Sequence, residues 1–109
     1  MAISHFFTVD VEEHFQVSAF ENHIRREDWD RLPCRVERNV DRILGMFADK
    51  GVAATFFTLG WIAERYPAVV RRIVEAGHEL ASHGWSHVRV SEQDRDAFRA
   101  DVTRTKSFL

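Results

Sequence analysis

Three short apolar runs, His5-Phe6-Phe7-Thr8-Val9, Ala53-Ala54-Thr55-Phe56-Phe57-Thr58-Leu59 and His78-Glu79-Leu80-Ala81-Ser82, alternate with longer segments of helical spacing. No other feature narrows the fold as much. The first two runs are rich in aromatic and β-branched residues and too short for stable helices, so they read as buried strands, the second one covered on both faces. The third is less apolar but matches in length. Between them, Val36, Val40, Ile43, Leu44 and Phe47 recur at helical spacing, with Arg38, Asp41, Arg42 and Asp49 on the other side and Gly51 placed as a stop. Ile62, then Val69, Val70, Ile73 and Val74, mark a second helical region with Pro67 in the first turn of its main segment and Gly77 at its end. Ser91-Glu92-Gln93-Asp94 reads as the cap of a last helix whose Phe98, Val102 and Leu109 share a face.

The order β, α, β, α, β, α predicts an α/β fold with parallel strands joined by right-handed crossovers, in which functional groups gather at the C-terminal strand ends. Residues 11–35 break the pattern with Phe15, Phe20 and Trp29 scattered among charges and Pro33. They read as a long loop with at most a turn of helix, either a functional insertion or a solvated cap on the fold. Three strands cannot close a barrel, and the chain stops within or just after an amphipathic helix. Residues 1–109 are therefore expected to be a fragment, the N-terminal portion of one domain.

Composition removes several function classes. The 109 residues suffice for one domain, and a net charge of −2 from interspersed acids and bases offers no basic stripe for a nucleic acid. The lone Cys34 cannot form an internal disulfide and lacks a setting that would make it a nucleophile, so it reads as a small filler beside a loop. No basic start with an apolar leader and no membrane-length stretch is present, so a cytoplasmic location is the expectation.

The chemistry-bearing residues lie in Ser82-His83-Gly84-Trp85-Ser86-His87 and Thr8-Val9-Asp10-Val11-Glu12-Glu13-His14. Two histidines four apart would face the same side of one helical turn and could share a metal ion, with zinc suited to neutral imidazole. Such a pair is weak evidence until a third ligand joins it. If strand geometry persists from Asp10 to Glu12, the two acids project to one face. One could then bind the metal while the other, unligated, accepts a proton from water, the division of labour that metal-assisted hydrolysis needs. Glu12, Glu13 and His14 all remain candidates for the third ligand at this point. His5, His23 and His78 read as surface or packed histidines, and Trp85 as a packing anchor rather than a sugar platform.

Together, Thr8-Val9-Asp10-Val11-Glu12, Ala54-Thr55-Phe56-Phe57, Gly77-His78-Glu79-Leu80-Ala81 and Ser82-His83-Gly84-Trp85-Ser86-His87 resemble the polysaccharide deacetylase family, also called the NodB-homology domain or carbohydrate esterase family 4. Residues 9–20 with Arg35-Val36-Glu37-Arg38-Asn39 are similar to its subgroup associated with exosortase and exopolysaccharide gene clusters. The resemblance implies a distorted (β/α) barrel that uses a divalent metal, zinc by expectation, to remove N-acetyl groups from the amino sugars of a polysaccharide. It implies that Asp10 is the catalytic base and that His83 and His87 are metal ligands. The family's first motif has two adjacent aspartates, whereas Val11 follows Asp10 here, so Glu12 is expected to supply the metal acid. The family's later motifs, with an arginine, an aromatic and a histidine acting as general acid, have no counterpart in residues 1–109. Two rivals accompany this reading: a hydrolase of other non-peptide C–N bonds on the same scaffold, and an inactive metal- or glycan-binding module.

Overall fold

A computed structural model describes residues 2–109. Its centre is a three-stranded parallel sheet of β1 (Thr8–Val11), β2 (Thr55–Thr58) and β3 (Glu79–Ser82), lying side by side in chain order. Asp10 stands beside Phe57, which stands beside Ala81. Helix α1 (Val36–Lys50) connects β1 to β2; α2 (Gly60–Arg65) and α3 (Pro67–Glu75) connect β2 to β3; α4 (Arg95–Phe108) follows. The expected strand and helix order is therefore present, with shifted boundaries.

The strands alternate faces, and the two faces differ in composition. Val11 and Phe56 are buried in the main core, and Val9 and Leu80 pack against it. From the helices, Val36, Val40, Phe47, Ile62, Val69 and Ile73 complete that core, so the apolar stripes read from helical spacing are the buried ones. Thr8, Asp10, Thr55 and Glu79 occupy the opposite face, where Thr55 Oγ1 donates to Glu79 at 3.0 Å. β2 is thus fully covered on one face only: Phe56 and Thr58 are buried, while Thr55 and Phe57 are half-buried.

Several boundaries correct the sequence expectations. β1 begins at Thr8 rather than His5, which places Asp10 inside the strand. The second helical region divides at Tyr66, whose backbone leaves the helical basin (φ −128°, ψ 65°) because Pro67 crowds the residue before it. The last helix is capped by Asp94, not Ser91: its carboxylate accepts from the Ala97 N–H at 2.7 Å, and residues 90–92 form a separate 3-10 turn. Gly51 ends α1 in the left-handed region (φ 65°), and Gly77 has φ 89° after α3, as stops of this kind require. No helix among the described residues is long and apolar enough to cross a membrane.

The segment between β1 and α1 is more ordered than a loop reading implies. It folds into 3-10 turns at His14–Gln16, Ser18–Phe20 and Arg26–Arg31. Phe15 and Trp29, 1% and 3% exposed, pack on each other and on Trp61 of α2, so this insertion has an aromatic core of its own and is not a solvated cap.

Candidate metal centre

Glu12, His83 and His87 meet at the C-terminal edge of the sheet, each offering one ligand atom, and the three atoms lie within 4.8 Å of one another. Ladder bonding carries the strands to this edge. The Leu59 N–H donates to the Val11 carbonyl at 3.3 Å, and the His83 N–H to the Thr58 carbonyl at 3.1 Å. Glu12 and His83 are therefore each the first residue beyond a strand, brought to one height by the parallel register.

Geometry favours a cation at their centre. Glu12 Oε2 lies 3.5 Å from His83 Nδ1 and 3.4 Å from His87 Nε2. Two donors each about 2.0–2.1 Å from one ion at a tetrahedral angle stand about 3.3–3.4 Å apart. Glu12 Oε2 and His83 Nδ1 are also buried and make no hydrogen bond, although they face each other. An unsatisfied buried polar atom costs about 1–3 kcal/mol, and a shared cation would satisfy both. One carboxylate and two imidazoles form a donor set suited to zinc and its neighbours, with positions left for water and substrate.

The two histidines do not converge as sequence spacing suggests. Residues 83–87 form a loop rather than a helical turn, with Gly84 at φ 75° and His87 at φ 59°. His87 is the one non-glycine residue with positive φ among the described residues. For a residue with a Cβ that conformation costs about 1–2 kcal/mol, a strain that clusters at functional sites. The loop is held from several sides. The N–H groups of Gly60 and Trp61 donate to the carbonyls of Gly84 and Trp85 at 2.9 and 3.0 Å. Asp101 of α4 accepts from the Trp85 N–H at 3.1 Å. Trp85 is buried, with Arg104 stacked 3.5 Å from its ring centroid and Phe108 at 5.2 Å, so it packs as expected.

The other candidates for the third ligand lie elsewhere. Glu13 is 4% exposed, and its carboxylate accepts from the backbone N–H groups of Arg35 and Val36, capping α1 from 22 residues upstream. Its own N–H donates to Gln16 Oε1 at 2.8 Å. His14 is exposed and packs edge-on against Phe15 and Phe20. Asp10 stays outside the ligand cluster, exposed on β1 two residues before Glu12 and about 6–7 Å along the strand from it. His78 is packed between Phe47 and Phe56, and its Nδ1 accepts from the Ala54 N–H at 3.1 Å. Cys34 is half-buried, and its thiol together with burial pushes the pKa of the neighbouring Tyr66 phenol up to about 12. Sequence reasoning missed Asp101 and Arg26, whose side chains bond the loop backbone at Trp85 and at Ser86 and His87. Neither belongs to a recognisable short motif, and both act on backbone atoms distant in the chain.

Comparison with known proteins bears on the family and the fold. The family model described as polysaccharide deacetylase matches residues 28–109. A peptidoglycan-N-acetylglucosamine deacetylase of Bacillus cereus is 35% identical over 68 residues, covering 62% of this chain and 25% of that protein. A chitooligosaccharide deacetylase of Rhizobium leguminosarum bv. trifolii is 34% identical over 68 residues, covering 62% and 32%. A solved peptidoglycan N-acetylglucosamine deacetylase in complex with 4-naphthalen-1-yl-N-oxidanyl-benzamide superposes with a TM-score of 0.71 at 26% identity, over 95% of this chain and 38% of that one. The chain thus spans about a quarter to two fifths of the length of these three proteins. With the family model covering most of its length, the chain belongs to the polysaccharide deacetylase family.

Proposed function

We propose that this protein is a metal-dependent hydrolase that removes N-acetyl groups from the amino sugars of a polysaccharide, with residues 1–109 carrying its metal ligands and its base. The observation that carries the reading is the convergence of Glu12 Oε2, His83 Nδ1 and His87 Nε2, two of them buried and unpaired, at one sheet edge. A divalent ion bound there, zinc by the character of the donors, would polarise the acetamide carbonyl and make water acidic enough to attack near neutral pH. Asp10, on β1 two residues before Glu12 and outside the ligand set, accepts the proton that the attacking water releases. The C–N bond breaks, acetate leaves, and the sugar nitrogen takes a proton to become the amine.

An unligated carboxylate beside the ligands supports an enzyme over a module that only binds metal or glycan, because binding alone has no use for it. Residues 9–20 and 35–39 support an exopolysaccharide as substrate, through their similarity to the subgroup associated with exosortase clusters. The test is incubation of the zinc-loaded whole protein with N-acetylglucosamine oligomers and with exopolysaccharide. Acetate and primary amine are expected in equal amounts. One bound zinc per chain with neither product on any N-acetylated polymer would overturn the hydrolase reading.

A further inference from the structure

The insertion between β1 and α1 touches the ligand loop at three points that the proposed hydrolysis does not use. Arg26 donates from Nε to the Ser86 carbonyl at 3.0 Å and from Nη2 to the His87 carbonyl at 3.1 Å. Ser18 Oγ stands 3.5 Å from His87 Nδ1, and Glu21 pairs with Arg89 at 3.2 Å. The Arg26 guanidinium lies over Trp29, 5.6 Å from the ring centroid, and Trp29 is buried against Phe15 and Trp61. Its direction of approach is thus fixed by a rigid aromatic core.

His87 is the residue that most needs such support. Its left-handed backbone is unfavourable by itself and must be maintained by surrounding contacts. We infer that Arg26 is a positioning residue of the metal centre: its two-pronged grip on the Ser86 and His87 carbonyls holds His87 in the conformation that aims Nε2 at Glu12. The inference rests on the reading of Glu12, His83 and His87 as metal ligands. Arginine suits the task because its planar fork serves two carbonyls at once, whereas an ammonium group acts as a point charge. Both bonds face solvent, so the effect belongs at the lower end of what outer-shell supports contribute to metal affinity.

The test is the zinc affinity of the whole protein by chelator competition, together with the visible absorption of its cobalt form, which reports ligand geometry. Arg26→Met keeps an apolar stem over Trp29 and removes the donors. It is expected to weaken zinc binding about tenfold and shift the cobalt bands, with far-UV circular dichroism unchanged. Arg26→Lys keeps the charge but not the fork, and about threefold weakening is expected. Wild-type affinity and bands in folded Arg26→Met would overturn the inference. If that variant does not fold, wild-type affinity and bands in Arg26→Lys would overturn it instead. Failure of the unaltered protein to bind zinc would refute the metal reading and this inference with it, whereas equal tight binding by all three proteins would refute the inference alone.

Discussion

Asp10 lies within β1 and Glu12 one residue past its end, and although both are carboxylates their surroundings divide the work between them. Glu12 is drawn into the loop of histidines, while Asp10 lies exposed on the sheet face and coordinates nothing. Asp10→Asn should therefore abolish acetate release, by about 100-fold or more if it acts as general base, while one zinc per chain is retained. Loss of zinc from that variant would show that Asp10 is a ligand instead. Glu13, one position further on, has a structural task. Glu13→Ala should lower stability by about 1–3 kcal/mol, read from the denaturant midpoint, because two N–H groups at the start of α1 lose their acceptor. Period-two alternation allows Asp10 and Glu12 one face, but Glu12, Glu13 and His14 all stay open as ligands in the sequence, and only the bonds of Glu13 to the start of α1 set it apart from Glu12. The left-handed backbone of His87 was not legible, because nothing at His87 itself signals it and the contacts that hold it come from Arg26, 61 positions away.

At the scale of elements, α2 is closely packed against the ligand loop. A Cβ on Gly60 would overlap the Trp85 ring, so the tryptophan packs directly against the first residue of α2. Gly60→Ala should destabilise the protein by about 1–3 kcal/mol through overpacking, and should also weaken zinc binding because Trp85 lies between the two histidines in sequence. Thermal unfolding and metal titration of the same sample check both effects, and wild-type values in each would contradict them. Helix and strand order was legible because short aromatic and β-branched runs alternate with longer segments of helical spacing. The end of α3 was legible from Gly77, and the break at Tyr66 is the consequence that Pro67 imposes on its predecessor. The 3-10 turns of the insertion were not, since the contacts of Phe15 and Trp29 with Trp61 link distant residues and leave no periodic trace.

Across the whole molecule, among the described residues, the sheet has two open edges, β1 and β3, and Phe6, Phe7, Phe98 and Val102 are exposed. The radius of gyration is 14.9 Å, whereas a compact domain of this length would have about 13 Å. Residues 1–109 expressed by themselves should therefore bind a hydrophobic dye and associate, as unpaired edges and apolar patches do. A monodisperse, dye-silent, cooperatively unfolding product would contradict that. The expected incomplete barrel accords with this shape, because parallel order and strand count were both readable from the alternation of periods.

The central claim, that Glu12, His83 and His87 share one ion, is tested most directly by X-ray absorption of the zinc-loaded whole protein beside its His87→Ala variant. The account predicts two imidazole nitrogens and a carboxylate oxygen at about 2.0–2.2 Å in the unaltered protein, falling to one imidazole with markedly weaker retention in the variant. An identical zinc environment in the two proteins would contradict it.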